Sequence, residues 1–445
     1  MLRELQSKKW IKIFLFFGTF IIYILSINDF ASSNEASRLA LIQAIVHNRS
    51  FIINEFADQT RYIDIAYYNG NYYSDKAPGL SFIGLPIYLI CNTFGFSLEM
   101  THFFLILINA FFTSLATILI YEICNFLDYN SKICVLMALI FAFGTIAWVY
   151  AKTFLAHGFS AFLFLLSMYY AHRFIQGNET KFILLSGVAI GYSFLVEYSN
   201  LFLLVPFLVY FALYKTQKKL IYFLVPIVLL LILLGTYHYV CFGNPFSTPY
   251  RYYYHERQQD ISFISNPVYI GLYGLLFSPQ RGLFFISPVL LLSLYGFFLL
   301  YKKYKPETIL FLSSFIIISV FYSMLPNWHG AYCYGPRYLL AVVPFIVIPL
   351  GTCIEKYKEN KIFLISFSLI FVFSIIANAL GALVNPFPPF SYEVIPLIYN
   401  ASYLIRKGQF DSKLLLLSGL NPLLLFGALV CSVVVYIFII YRLNI

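Results

Sequence analysis

Charge is scarce in this chain: Asp, Glu, Lys and Arg make up only 11% of its 445 residues, against about 25% in a soluble globular domain. With 61% apolar and 20% aromatic residues and a mean hydropathy of +0.80, that scarcity excludes a soluble fold. Acid is scarcer than base, 19 against 29, for a formal charge of +10. In a soluble protein this surplus would suggest nucleic acid, but in a membrane protein the question is which loops hold it, and no nucleic-acid partner is expected. No polar stretch is long enough for a separate soluble domain, so residues 1–445 are read as one integral-membrane domain. Neither CxxC nor Cys/His ligand spacing occurs. Cys91, Cys124, Cys134, Cys241, Cys333, Cys353 and Cys431 stand singly in or beside apolar runs and read as small buried hydrophobes, so no metal site is assigned. The short loops on the basic side lack GxxxxGKS and GxGxxG, which leaves nucleotide binding there unsupported.

What is present is a recurrence of apolar segments near the roughly 20 residues that a spanning helix needs. They predict about 12 transmembrane helices, near residues 10–28, 100–124, 132–150, 153–173, 181–197, 199–215, 218–241, 283–301, 308–325, 337–354, 362–385 and 414–441. Arg3, Lys8, Lys9 and Lys12 precede the first and hold the amino terminus in the cytoplasm; Ala31, Ser32 and Ser33 after it mimic a signal-peptidase site, but the run exceeds the usual length and reads as a signal anchor. A further apolar segment, 79–97, contains Gly79, Gly84, Pro86 and Gly95. Counting it as a span would reverse every later loop. Leaving it out gathers Lys132, Arg173, Lys181, Lys215, Lys218, Lys219, Lys302, Lys303, Lys305, Lys356, Lys358, Lys361 and Arg442 on the amino-terminal side, as the positive-inside rule requires. The segment is therefore expected to lie along the outer interface or to re-enter without crossing.

This topology places loops 29–99, 242–282, 326–336 and 386–413 on the outer face, where any chemistry is expected. The first holds Asp29, Glu35, Glu55, Asp58, Asp64, Asp75 and Glu99, seven of the 19 carboxylates. Ser32 and Glu35 fit an S-x-x-E capping box opening a helix with Leu39, Ile42 and Val46 at helical spacing, an interfacial amphipathic helix. Glu35 either only caps it or, ionised by the helix dipole, serves as a base. Asn69-Gly70 between Tyr-rich runs predicts a tight hairpin leading into Ser74-Asp75-Lys76-Ala77-Pro78-Gly79. Lys76 there is either a phosphate-seeking ammonium or a snorkelling surface ion pair. The Tyr250–Tyr254 run suits an acceptor groove but is better read as interfacial belt. Asn48-Arg49-Ser50 and Asn400-Ala401-Ser402 fit glycosylation sequons.

The arrangement resembles the GT-C glycosyltransferases that use polyprenyl-phosphate sugars, including protein mannosyltransferases and the lipid A aminoarabinose transferase. The resemblance is carried by Asn34-Glu35-Ala36-Ser37-Arg38-Leu39 after the first span, where the family shows an Asp-Glu pair, and by Tyr73 to Gly79 as its acid-Lys-Pro element. Gly191 to Asn200, Ser278 to Phe284, and Trp328 to Tyr338 resemble later segments of bacterial and archaeal members. The resemblance implies an outer-face site transferring a sugar, with inversion, from a lipid phosphate to an acceptor hydroxyl, in the multi-pass cell membrane of a prokaryote. Its partners would be a polyprenyl-phosphate sugar, a lipid, glycan or protein acceptor, and membrane lipids.

Of the family's two acids the first is replaced here by Asn34, which leaves Glu35 as the expected base and Asp75 as the second choice. The leaving phosphate needs cations. Lys76 comes first, then Arg337, whose guanidinium can bind phosphate in bidentate fashion, then Arg281; both arginines read equally as interface anchors. Lys152 and His157 border outer helix ends, where they approach a phosphate or merely snorkel. Glu197 is an ionisable group in an apolar stretch, a site residue by default, and pairs with Arg281 or Lys152 or else solvates a turn. No cofactor is assigned; the outer carboxylates leave room for a divalent cation at the cost of the base role. A transporter or lipid flippase is the competing class, but it would place charge at the midplane and show repeats.

Overall fold

The computed structural model describes residues 2–27, 32–253, 264–407 and 422–443. The chain is mostly helical: α1 (Leu2–Leu25), α2 (Ser33–Asn48), α3 (Gly79–Thr93), α4 (Leu98–Phe126), α5 (Ser131–Phe143), α6 (Ala147–Ala151), α7 (Ala156–Gly177), α8 (Thr180–Val196), α9 (Leu204–Leu213), α10 (Leu220–Phe242), α11 (Val268–Leu276), α12 (Leu283–Ile286), α13 (Leu292–Lys303), α14 (Lys305–Ser323), α15 (Val343–Tyr357), α16 (Lys361–Ala379), α17 (Pro396–Lys407) and α18 (Pro422–Leu443). Among the described residues five stretches are long and apolar enough to cross a membrane, namely Leu98–Phe126, Gln217–Phe242, Lys305–Ser323, Arg337–Tyr357 and Lys361–Val384. Shorter apolar helices account for most of the other expected spans. Asp29, Ala31, Tyr254, residues 408–413 of the last outer loop and the start of the expected 414–441 span lie outside the described residues.

Several expected spans are interrupted for local reasons. The 132–150 run divides into α5 and α6 because Gly144 ends the first helix, and Thr145 turns the chain by donating to the Phe141 carbonyl and accepting from the Ala147 N–H. The 283–301 run breaks at Ser287-Pro288 into α12, a 3₁₀ turn and α13, since proline has no N–H to continue the ladder. The 199–215 and 337–354 runs both open as 3₁₀ turns, Tyr198–Leu203 and Arg337–Val342.

Helix direction divides the bundle into two ends. At one, the basic connectors meet: Lys303 and Tyr304 reach Asp128, Lys219 reaches Asn178, Lys356 reaches Tyr295, and His172 approaches Glu307 at 3.8 Å. At the other lie the first loop and the amino-terminal end of α7. Helix α3 stays there, packed on α2, on the first part of α4 and on the last turn of α8. Its 15 residues span only about 22 Å at 1.5 Å per residue. Gly84 faces Ile42, Leu105 and Phe154, and a Cβ at Gly79 would sit 2.6 Å from the backbone carbonyl of Leu195. Tyr192 completes the bolt by donating to the Gly79 carbonyl at 2.8 Å. Gly79→Ala is therefore expected to push the turn before α3 off the end of α8, lowering both thermal stability and activity, as measured by Tm and turnover.

The first-loop helix departs from expectation. Residues 37–44 of α2 are all buried, so it is not a surface-lying amphipathic helix: α3 covers one side, and the hairpin with the 3₁₀ turn Asn54–Thr60 covers the other. The hairpin itself follows the sequence signal. β1 (Ile65–Tyr68) pairs antiparallel with β2 (Asn71–Ser74) across Asn69 and Gly70 at φ +47° and +80°, the primed turn that matches strand twist. Six of the seven cysteines are buried, Cys431 is exposed, and none forms a disulfide. Asn400 is fully buried, donating to the carbonyls of Leu380 and Asn385, which rules out its use as a sequon in the folded protein.

Candidate active site

The hairpin delivers Ser74, Asp75 and Lys76 to the interior. Ser74 and Ser37 share a 2.8 Å hydrogen bond that ties β2 to α2, and the Lys76 N–H donates to the Ser74 hydroxyl. The Lys76 ammonium then donates to Asp75 Oδ2 and Asp64 Oδ1, each at 2.9 Å. Asp64 reaches it because Arg61, Tyr62 and Asp64 all adopt left-handed backbone, folding the strand entry back on itself, and Ser33 donates to the second Asp64 oxygen. Asp75 is 1% exposed, and its Oδ1 is buried without a hydrogen-bond partner. Burial pushes the Asp75 carboxyl up to about 6, with the Asp64 charge adding and Lys76 opposing. For Asp64 burial is outweighed by Lys76, so its carboxyl is held below the usual range. For Lys76 burial is outweighed by the two carboxylates, which hold the ammonium above its ordinary value.

Glu35 occupies a different position. It completes the expected capping box, with Oε2 accepting from the Ser32 N–H at 2.8 Å, and its Oε1 accepts from the Phe154 N–H at 2.6 Å. Fully buried, it staples the start of α2 to the chain just before α7. Asn34 accepts from Arg38 Nε, and the Arg38 guanidinium also donates to the Ala77 carbonyl, so the amide at this position orients an arginine behind Lys76. Glu35→Gln replaces an acceptor by an amide NH₂ facing a backbone donor, and is expected to cost about 1–3 kcal/mol, read as a lower Tm. Unchanged Tm with lost turnover would instead restore Glu35 as the base.

Helix ends complete the site. Arg337 lies within electrostatic reach of Asp64, Glu197 and His157, and Lys76 within reach of Glu197 and His157. Arg337 is half-buried, lies 5.3 Å over the Tyr338 ring, and has a buried Nε with no hydrogen-bond partner. The His157 ring meets Tyr338 edge-on at 5.7 Å. The expected residues Asp75, Lys76, Arg337, His157 and Glu197 thus come together. Lys152 is buried at the end of α6. Arg281 is engaged elsewhere: fully buried, it donates to the carbonyls of His329, Gln280 and Ala331 and lies over Phe390 at 5.1 Å, tying two loops together. Nor does Glu197 pair with it; its charged neighbours are Arg38, Lys76 and Arg337.

The sequence assigns no site role to Asp64, Arg38, Tyr198 or Tyr322 and favours an interfacial belt for Tyr250, whereas Tyr198, Tyr250 and Tyr322 all lie within electrostatic reach of Glu197. The four-residue spacing of Asn34 and Arg38 was a usable signal; for Asp64 none existed. The divalent cation that the outer carboxylates left room for does not fit between Asp64 and Asp75, because the Lys76 ammonium already stands there.

This helical membrane bundle, whose first loop folds back to set acids and cations against helix ends, is similar in fold to solved GT-C glycosyltransferases. Residues 85–238 match the family of dolichyl-phosphate-mannose-protein mannosyltransferases, while no curated protein sequence matches the chain. ArnT from Cupriavidus metallidurans, solved bound to undecaprenyl phosphate, is similar in structure with a TM-score of 0.53 and 14% identity, covering 98% of this chain and 76% of its own. The oligosaccharyltransferase AglB from Archaeoglobus fulgidus, solved with an inhibitory peptide and a dolichol-phosphate, gives 0.53 and 13% over 90% of this chain. This chain spans only 58% of that AglB chain.

Proposed function

We propose that this protein is a membrane glycosyltransferase that moves a sugar from a polyprenyl-phosphate donor to an acceptor hydroxyl on the outer face, with inversion. The observation that carries the reading is the Asp64–Lys76–Asp75 cluster placed beside Arg337 at the end of the bundle away from the basic connectors. The positive-inside rule supports an outer location for that end. The solved relatives named above bind undecaprenyl phosphate and dolichol-phosphate, which supports a lipid-phosphate donor.

Asp75 takes the role of base in this reading, in preference to Glu35. Its Oδ1 is unengaged, and a carboxyl near 6 is ionised at neutral pH yet basic enough to accept a proton. Both Glu35 oxygens are committed to backbone N–H groups. The acceptor hydroxyl gives its proton to Asp75 Oδ1 as its oxygen bonds the anomeric carbon. The bond from that carbon to the phosphate oxygen breaks on the opposite face, and the departing polyprenyl phosphate keeps the electron pair. Arg337 and the remaining N–H of Lys76 stabilise that charge.

The test is incubation of the purified protein, in membranes carrying endogenous acceptors, with radiolabelled undecaprenyl-phosphate sugars. Release of undecaprenyl phosphate with label transferred to acceptor supports the reading. No binding of undecaprenyl phosphate and no transfer from any donor overturns it.

A further inference from the structure

We propose that Glu197, with Tyr198, Tyr250 and Tyr322 around it, is the subsite that grips the hydroxyls of the transferred sugar and so determines which sugar is accepted. This rests on the donor reading above and assigns a part of it.

Glu197 follows the last turn of α8, where the backbone becomes extended at φ −154°. The α8 end is bolted to the turn that carries Asp75 and Lys76 through the Leu195–Gly79 contact and the Tyr192 hydrogen bond. Its position relative to the cations is therefore fixed by packing. The other acids of the site are engaged: Glu35 through both oxygens by backbone N–H groups, and Asp64 and Asp75 through one oxygen each by Lys76, with the free Asp75 Oδ1 given to the acceptor proton. Glu197 is half-buried and takes a hydrogen bond from the Tyr198 backbone. Arg38, beside it, feels both Glu197 and Asp75 and is itself bonded to Asn34 and Ala77.

A carboxylate beside Arg38, Lys76 and Arg337 would repel a phosphate, so in a phosphate-ester site it is useful only toward the uncharged portion of the donor. The tyrosines around it supply the other half of carbohydrate recognition. Tyr198 is fixed by a 3.0 Å bond between its hydroxyl and His238, and Tyr322 by a 2.6 Å bond with Ser199 and by parallel stacking on Tyr338 at 4.3 Å. Tyr250 stands edge-on to Tyr198 at 5.7 Å, and three residues further on the chain bridges to Ala66 of the hairpin at Tyr253. Both Glu197 oxygens can accept from vicinal hydroxyls, while rigid rings pack the C–H face of a pyranose or furanose at little entropic cost. Phosphate is held by cations and sugar by an acid and aromatics, on one wall each.

The experiment compares binding of sugar-free undecaprenyl phosphate with binding of undecaprenyl-phosphate mannose, glucose and arabinose to wild type, Glu197→Gln and Tyr250→Phe. Both variants keep side-chain shape, and Tm confirms folding. Glu197→Gln is expected to bind undecaprenyl phosphate as wild type does, while losing roughly 10- to 100-fold in affinity for the preferred sugar donor, the worth of hydrogen bonds to a charged group. Its discrimination among the three sugars should shrink with it, and Tyr250→Phe should show a smaller loss of the same kind. If both variants retain wild-type sugar preference while undecaprenyl phosphate still binds, the subsite proposal is overturned and the donor reading stands. Failure of wild type to bind undecaprenyl phosphate overturns both.

Discussion

Asp75→Asn is expected to lower turnover by about 10²- to 10⁴-fold, the usual worth of a positioned base, while leaving affinity for undecaprenyl phosphate within a few-fold of wild type. The pH dependence gives the sharper signature. Asp75 must be ionised to take the acceptor's proton, so wild-type kcat/KM should rise with pH, bend near 6 and level off above it; in the variant that limb disappears. Stability should move the other way. Because burial raises the folded value above the ordinary 3.8, the folded protein binds more protons than the unfolded chain between the two. Ionising Asp75 therefore costs stability as pH rises through that window. Asparagine removes the cost, and Lys76 keeps Asp64 as its partner, so the variant should be inactive yet at least as stable as wild type above pH 6. An Asp75→Asn protein that turns over normally returns the base to Glu35 or Asp64.

Local signals in the sequence were read well, and contacts between distant segments were not. The hairpin was legible because Asn-Gly satisfies its turn within two residues, and the capping box because Ser32 and Glu35 are three apart. The second Glu35 contact was not legible: Phe154 lies 119 positions away, and that bond decides whether the carboxylate has lone pairs to spare. For Lys76 the sequence shows its neighbour Asp75 but not its second partner, because Asp64 joins it only when the chain passes through left-handed backbone at Arg61, Tyr62 and Asp64. Apolar runs marked helices, but a run does not show where its helix stops; Gly144 breaks one where the Phe371 ring would stand 2.9 Å from a Cβ.

The same commitment of Lys76 decides which cation should be tested for phosphate binding. Lys76→Ala would leave two acids, Asp75 buried and Asp64 half-buried, without their shared ammonium, and breaking a buried pair this way costs about 3–5 kcal/mol, so lost binding could reflect lost structure. Arg337 is the cleaner probe. Its Nε has no hydrogen-bond partner, its guanidinium lies over the Tyr338 ring, and its charge acts on Asp64. Arg337→Ala is expected to weaken undecaprenyl-phosphate binding by roughly 10- to 100-fold, the range for hydrogen bonds to a charged group, with little change in Tm. Arg337→Lys should recover only part of it, because an ammonium cannot present the planar fork that fits two phosphate oxygens. Dependence on salt separates the two losses: removing a charge flattens the fall of affinity with ionic strength, whereas Arg337→Lys keeps the slope and shifts the curve. Equal affinity in all three proteins would leave Lys76 alone to hold the phosphate, with a single N–H to do it.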